Sequence, residues 1–182
     1  TDEVITYKDG KRWFHTGDLG HFEDGKFLKI TGRIKEQYKL ENGKYVVPAP
    51  LEDMLCRSRY VLQSFVYGDN QKFNVCLIVP DMVQLEAWAE KNSGGLKDGE
   101  TPNDLLTRND VQKLIANEVR AASSTMKGFE APKRWMYLEE PFTPDNHMLT
   151  PKMSIRRKNV MGKYEPLIHG LYDNKVGFPT SS

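Results

Sequence analysis

Hydrophobic and polar positions alternate along residues 4–31, and Asp-Gly interrupts the alternation twice. The stretches "YKDGKRW" and "FEDGKFLKI" therefore predict β-hairpins, because Asp-Gly accepts the positive φ values that a tight hairpin turn demands. Between them "HTGDLG", with two glycines, predicts a turn or a broken strand. Residues 32–47, "GRIKEQYKLENGKYVV", predict another hairpin around Asn42-Gly43. The period then changes. In "PAPLEDMLCRSRY" the side chains Leu51, Met54 and Leu55 share one helical face, and Pro50 suits a first turn. "VLQSFVYG" alternates loosely, whereas "FNVCLIV" is nearly continuous, as a buried central strand is. Asp81 is placed to cap a helix carrying Met82, Leu85 and Trp88. Residues 92–103 read as a loop. Asp110 is placed to cap a second helix, in which Val111, Leu114, Ile115, Val119 and Ala122 keep a helical period. "APKRWMYLEEPF" predicts a strand, and the rest reads as a basic tail.

Strands and helices mix here without the strict alternation of a parallel sheet, so the fold class is α+β. After residue 34 the pattern predicts a small three-stranded sheet with helices packed on it. Residues 1–34 hold hairpins too small to bury a core alone. They are expected to close a larger domain, with a second unit at 35–182.

Composition narrows the function. Of 182 residues, 26 are Lys or Arg and 25 are Asp or Glu, so any basic patch is local and a whole-surface polyanion binder is disfavoured. Two cysteines, Cys56 and Cys76, make no disulfide framework or four-ligand zinc site, which favours a reducing, intracellular compartment. The four histidines show no metal spacing; His15 is expected to pack or hydrogen-bond. Trp13, Trp88 and Trp135 read as core or half-buried anchors, and Tyr45 as a packed strand residue. No signal peptide is visible, and the apolar run Val75–Val79 is far short of the roughly 20 residues that span a bilayer.

Three ordered motifs then carry a resemblance: "WFHTGDLG", "FLKITGRIKEQYKLENGKYVVPAPLE" and "FTPDNHMLTPKMSIRRKNV". Together they resemble the adenylate-forming superfamily, in the wording of long-chain fatty acyl-CoA synthetases, over about Asp9 to Tyr164. The resemblance implies a mobile C-terminal lid preceded by the end of a large adenylation domain of the same protein. It implies use of ATP, Mg²⁺ and coenzyme A. A fatty acid carboxylate attacks the α-phosphorus of ATP, and the thiol of coenzyme A then attacks the acyl-adenylate, with the lid presenting a different face to each step. The phosphate loop and the acyl pocket are expected outside these residues, so the chain by itself is expected to be inactive.

Residue by residue, the resemblance implies that Asp18 holds the ribose hydroxyls, because a carboxylate accepts from both. Arg33 contacts the ribose or phosphate side with its fixed fork of donors. Lys35 falls at the hinge. Lys39 faces the site in the thioester-forming pose, and Gly43 lines the coenzyme A tunnel, where glycine permits close backbone approach.

The last motif departs from its family. The catalytic lysine that stabilises charge on the α-phosphate is replaced, in an ungapped alignment, by Ser154. Lys152 stands two positions earlier. In an extended segment it shares a face with Ser154 and could serve in its place. Arg156 is a rival cation, and a lid with weakened catalysis, acting as an interaction module, is a third reading. From Asn146 to Tyr164 there is no acid. Missing aromatics and motifs argue against nucleic acid. Contact with an anionic lipid surface stays open, and so does an acyl carrier protein as acceptor.

Overall fold

The computed structural model describes residues 4–173. Strands β1 (Ile5–Lys8) and β2 (Lys11–Phe14) pair antiparallel, as do β3 (Asp18–Glu23) and β4 (Phe27–Arg33). Both turns are the expected ones, with Asp9-Gly10 and Asp24-Gly25 all at positive φ. These hairpins present Phe14, Phe22, Phe27, Leu28 and Ile30 to solvent, so they bury no core of their own. Trp13 is 54% exposed, against the expectation of an anchor.

A single 3₁₀ turn, Ile34–Glu36, leads to a small ladder of β5 (Tyr38–Lys39) with β6 (Tyr45–Val46). Helix α1 (Pro48–Leu55) follows, with proline in its first turn and Leu51 and Leu55 buried. The main sheet orders β7 (Val61–Tyr67), β8 (Val75–Pro80) and β9 (Arg134–Tyr137), with β8 central. β7 runs antiparallel to β8, whereas β9 runs parallel to it. A parallel neighbour needs a long crossover. Helices α2 (Met82–Ser93) and α3 (Asn109–Ser123) occupy it.

The continuous apolar run of β8 has a simple cause: it is covered on both faces. Cys76 and Ile78 join Trp135 in one core with residues of α1, α2 and α3. Val75, Leu77 and Val79 pack in the other core with Val160, Tyr164 and Ile168. Those last residues belong to α4 (Arg157–Tyr172), which the sequence reading took for a basic tail. Val160, Tyr164, Ile168 and Leu171 keep a helical spacing, but Gly162 and Pro166 within it obscure the pattern.

Asp81 caps α2 as expected, accepting from the Gln84 N–H at 3.2 Å. Asp110 does not cap α3. It lies inside the first turn, and Arg108 in the capping position binds its carboxylate at 3.0 Å. The Arg108 guanidinium holds the Asp110 carboxyl below the ordinary aspartate range. A lowered folded value means stability present above about pH 4 and lost as pH falls through the folded value. Asp110→Asn should therefore cost about 0.5 kcal/mol at pH 7, the scale of a solvent-screened pair, and nothing at a pH where the Asp110 carboxyl is protonated in both the folded and the unfolded chain. Urea titrations at the two pH values check this; equal losses would contradict it.

Candidate functional site

The β3–β4 hairpin, α1, the edge strand β7 and residues 149–157 line a half-open cavity of about 780 Å³. Asp18, Arg33, Glu52, Ser154 and Arg157 are among its walls. Hairpin register sets the first two opposite each other on β3 and β4. Arg33 Nε meets Asp18 Oδ1 at 2.9 Å, which fixes the carboxylate at the cavity rim. Gly32 brings this hairpin against the start of α1, for a β-carbon there would collide with the Val47 side chain.

Lys35 sits in the 3₁₀ turn, which buries no side chain and lies between extended Arg33 and Gln37. Lys39 is exposed, its Nζ 5.8 Å from the Tyr45 ring centroid. Tyr45 is 60% exposed, not the packed strand residue that was expected. Gly43 has φ +83° and ordinary space around it, so turn geometry accounts for this glycine. Lys35, Lys39 and Gly43 are not among the cavity walls. His15 hydrogen-bonds Thr6 at 2.9 Å, one of the two roles expected of it.

The segment around Ser154 is not extended, so the condition for Lys152 and Ser154 to share a face is not met. Met153 N–H donates to the Thr150 carbonyl and Thr150 N–H to the Ser154 carbonyl, both at 2.8 Å. Leu149 bridges to Ile155, and Met153 takes φ +63°. Proline at 151 suits the first central position of such a turn. Lys152 is exposed at the turn and is not a cavity wall, whereas Ser154 is one.

Sequence reasoning missed one pair altogether. Arg157 Nη1 donates to both oxygens of Glu52, at 2.8 and 3.0 Å, across 105 residues. Arg157 Nη2 donates to the Val66 carbonyl, and Glu52 Oε1 accepts from the Val66 N–H at 2.7 Å. The guanidinium also lies over the Phe65 ring, 4.4 Å from its centroid. Burial pushes the Glu52 carboxyl up, while Arg157 and the Val66 N–H pull it back. In sequence, Glu52 beside Leu51 looks like an ordinary helix carboxylate, and Arg157 is one cation among several. Of the others in that window, Lys163 pairs with Glu140, while Arg156 and Lys158 are exposed. Among the described residues no group of three or more His, Cys, Asp or Glu side chains is placed to hold a metal ion.

Residues 35–176 match the family model described as AMP-binding enzyme C-terminal domain. The long-chain-fatty-acid–CoA ligase FadD15 of Mycobacterium tuberculosis is 37% identical over 96% of the chain and 28% of its own length. Human long-chain-fatty-acid–CoA ligase 1 is 36% identical over 91% of the chain and 23% of its own length. The chain thus spans about a quarter of the length of these relatives. Among solved structures, the adenylation domain of a Mycobacterium chelonae carboxylate reductase superposes with TM-score 0.74 at 24% identity, over 95% of the chain and 24% of its own. That similarity is one of fold.

Proposed function

The chain belongs to the family of AMP-binding enzyme C-terminal domains, and from that membership we propose that it serves an ATP-dependent, AMP-forming long-chain fatty acid–CoA ligase. The observation that carries this reading is the 37% identity to a long-chain-fatty-acid–CoA ligase over 96% of the chain. In it residues 35–182 are the mobile lid and 1–34 the end of the large adenylation domain. The family match beginning at residue 35, and the solvent-facing apolar hairpins before it, support that division. The substrates are a fatty acid, ATP and coenzyme A. Mg²⁺ is proposed as the companion of ATP. No helix among the described residues is long and apolar enough to cross a membrane. The proposed place of work is the cytoplasm or the surface of an intracellular membrane.

In this reading Asp18 accepts the ribose hydroxyls while Arg33 orients its carboxylate. Lys35, in a turn that buries nothing, absorbs the rotation between the two half-reactions. Lys39 and Gly43 then come to the site on their hairpin for the thioester step. Lys152 supplies the adenylation cation from its turn, where a long stem on an exposed loop closes the distance. A second reading, a lid with weakened adenylation, is favoured by one observation: Ser154, and not Lys152, is the cavity wall.

Asp18→Ala in the full-length protein should raise the KM for ATP about 10–100-fold, the worth of a hydrogen bond to a charged group. An unchanged KM would remove Asp18 from the ribose. The overall reading is tested by supplying that protein with ATP, a long-chain fatty acid and either coenzyme A or holo-acyl carrier protein. AMP and acyl-CoA are the expected products. Acyl transfer to the carrier protein alone would move the assignment to an acyl–acyl-carrier-protein synthetase.

A further inference from the structure

Glu52 and Arg157 meet where three elements converge. Glu52 belongs to α1, Val66 to β7, and Arg157 opens α4 directly after the 149–156 hairpin. β7 is an edge of the main sheet, and the two side chains satisfy its outward backbone groups at Val66, the carboxylate taking the N–H and the guanidinium taking the carbonyl. The Glu52 side chain is 8% exposed and that of Arg157 18%. A cation in the first turn of a helix has the wrong sign for the helix dipole. The carboxylate beside it offsets that cost.

The hairpin preceding Arg157 packs Leu149 and Ile155 on the core beneath β8, while its backbone hydrogen bonds are largely internal. Arg156 N–H donates to the Met148 carbonyl at 2.7 Å, closing the hairpin on itself. Asn159 Nδ2 donates to the His147 carbonyl at 2.7 Å, within the same region. The contact of Arg157 with both oxygens of Glu52 adds a polar tie from this region to α1, and both residues line the cavity that Ser154 also lines. Arg157 is also unsuited to be the missing catalytic cation itself. Its charge is already neutralised by a two-point carboxylate contact, and a second nitrogen is committed to Val66.

We infer that Glu52 and Arg157 are positioning residues: together they clamp the 149–156 hairpin to the edge of β7 and so hold Ser154 and the Lys152 turn at the cavity for the adenylation half-reaction. Arginine suits this role better than lysine, because its planar fork grips the carboxylate and the Val66 carbonyl together. The kinetic part of the inference rests on the ligase reading; the structural part does not.

The test uses the full-length protein carrying Glu52→Gln, Arg157→Gln, Arg157→Lys or the Glu52→Gln/Arg157→Gln pair. The double variant buries no charge and keeps hydrogen-bonding side chains at both positions, so it is the form expected to stay folded. Two readouts are taken. In hydrogen exchange, the amides of Thr150, Ser154 and Arg156 should exchange about tenfold faster or more in both Arg157→Gln and the double variant, with β8 amides unchanged. In kinetics, kcat for fatty-acid-dependent ATP–pyrophosphate exchange should fall about tenfold or more at an unchanged KM for ATP, whereas thioester formation from supplied acyl-adenylate stays within about threefold. Arg157→Lys should fall between the wild type and Arg157→Gln. Unaltered exchange at the hairpin amides in the folded double variant would overturn the inference. So would equal losses in the two half-reactions. If the wild type shows no fatty-acid-dependent exchange at all, the ligase reading fails, and the amide data alone decide the clamp.

Discussion

Under the proposed ligase reading, Lys152→Ala in the full-length protein is expected to cut fatty-acid-dependent ATP–pyrophosphate exchange by about 10²–10³-fold, the loss that follows removal of one preorganised charge-stabilising donor. Negative charge grows on the α-phosphate as the carboxylate attacks, and a nearby ammonium stabilises that charge more than the ground state. Lys152 is the only cation between Leu149 and Ile155. Because it stands on an exposed turn, removing it should leave folding untouched. The same assay on Ser154→Lys separates the two readings of this loop. If Lys152 already supplies the cation, a second lysine changes the rate by less than about threefold, under 1 kcal/mol of barrier. If the lid is catalytically weakened, Ser154→Lys raises the rate and Lys152→Ala leaves it unchanged.

The largest effect on stability is expected at Trp135. Its side chain is fully buried, and its indole N–H donates to the Tyr137 hydroxyl at 3.2 Å. It sits on β9, facing the core that α1, α2 and α3 share. Truncation to alanine removes the largest fully buried side chain among the described residues and leaves a cavity between β9 and the three helices. The loss should be about 3–5 kcal/mol. Against a typical domain stability of about 5–15 kcal/mol, that leaves little margin. Denaturant unfolding of the chain gives the number directly; a loss below about 1 kcal/mol would mean that the core relaxes around the gap.

Local chemistry made most of the architecture legible. Asp-Gly specified both early hairpins through its positive φ values, and Asn42-Gly43 specified the third. The unbroken apolar run in β8 correctly announced a strand covered on both faces. What covers the second face was not legible, because α4 hides its apolar positions among cations, a glycine and a proline. Asp110 misled for a related reason: an aspartate near a helix start satisfies the same pattern whether it caps the helix or, as here, pairs with Arg108. The exposure of Trp13 and Tyr45 escaped the sequence because aromatic character says what a residue can bury, not what neighbours it will have.

The site divides in the same way. Asp18 and Arg33 were singled out from motif wording, and strand register sets them opposite each other at the cavity. Lys152 was to share a face with Ser154 if their segment were extended. Backbone hydrogen bonds inside 149–155 fold that segment into a turn, a feature that Thr-Pro can suggest but not fix. The Glu52–Arg157 pair was invisible because its partners lie 105 residues apart and neither departs from ordinary surface usage. Only the fold shows that both point inward at one edge of the sheet.

The central claim is that this lid serves fatty acid adenylation. It is tested most directly by measuring ATP–pyrophosphate exchange in the full-length protein with and without a long-chain fatty acid. The account predicts exchange that depends on the fatty acid and disappears when residues 35–182 are deleted. Exchange no greater with the acid than without it, in a folded protein, would contradict the account.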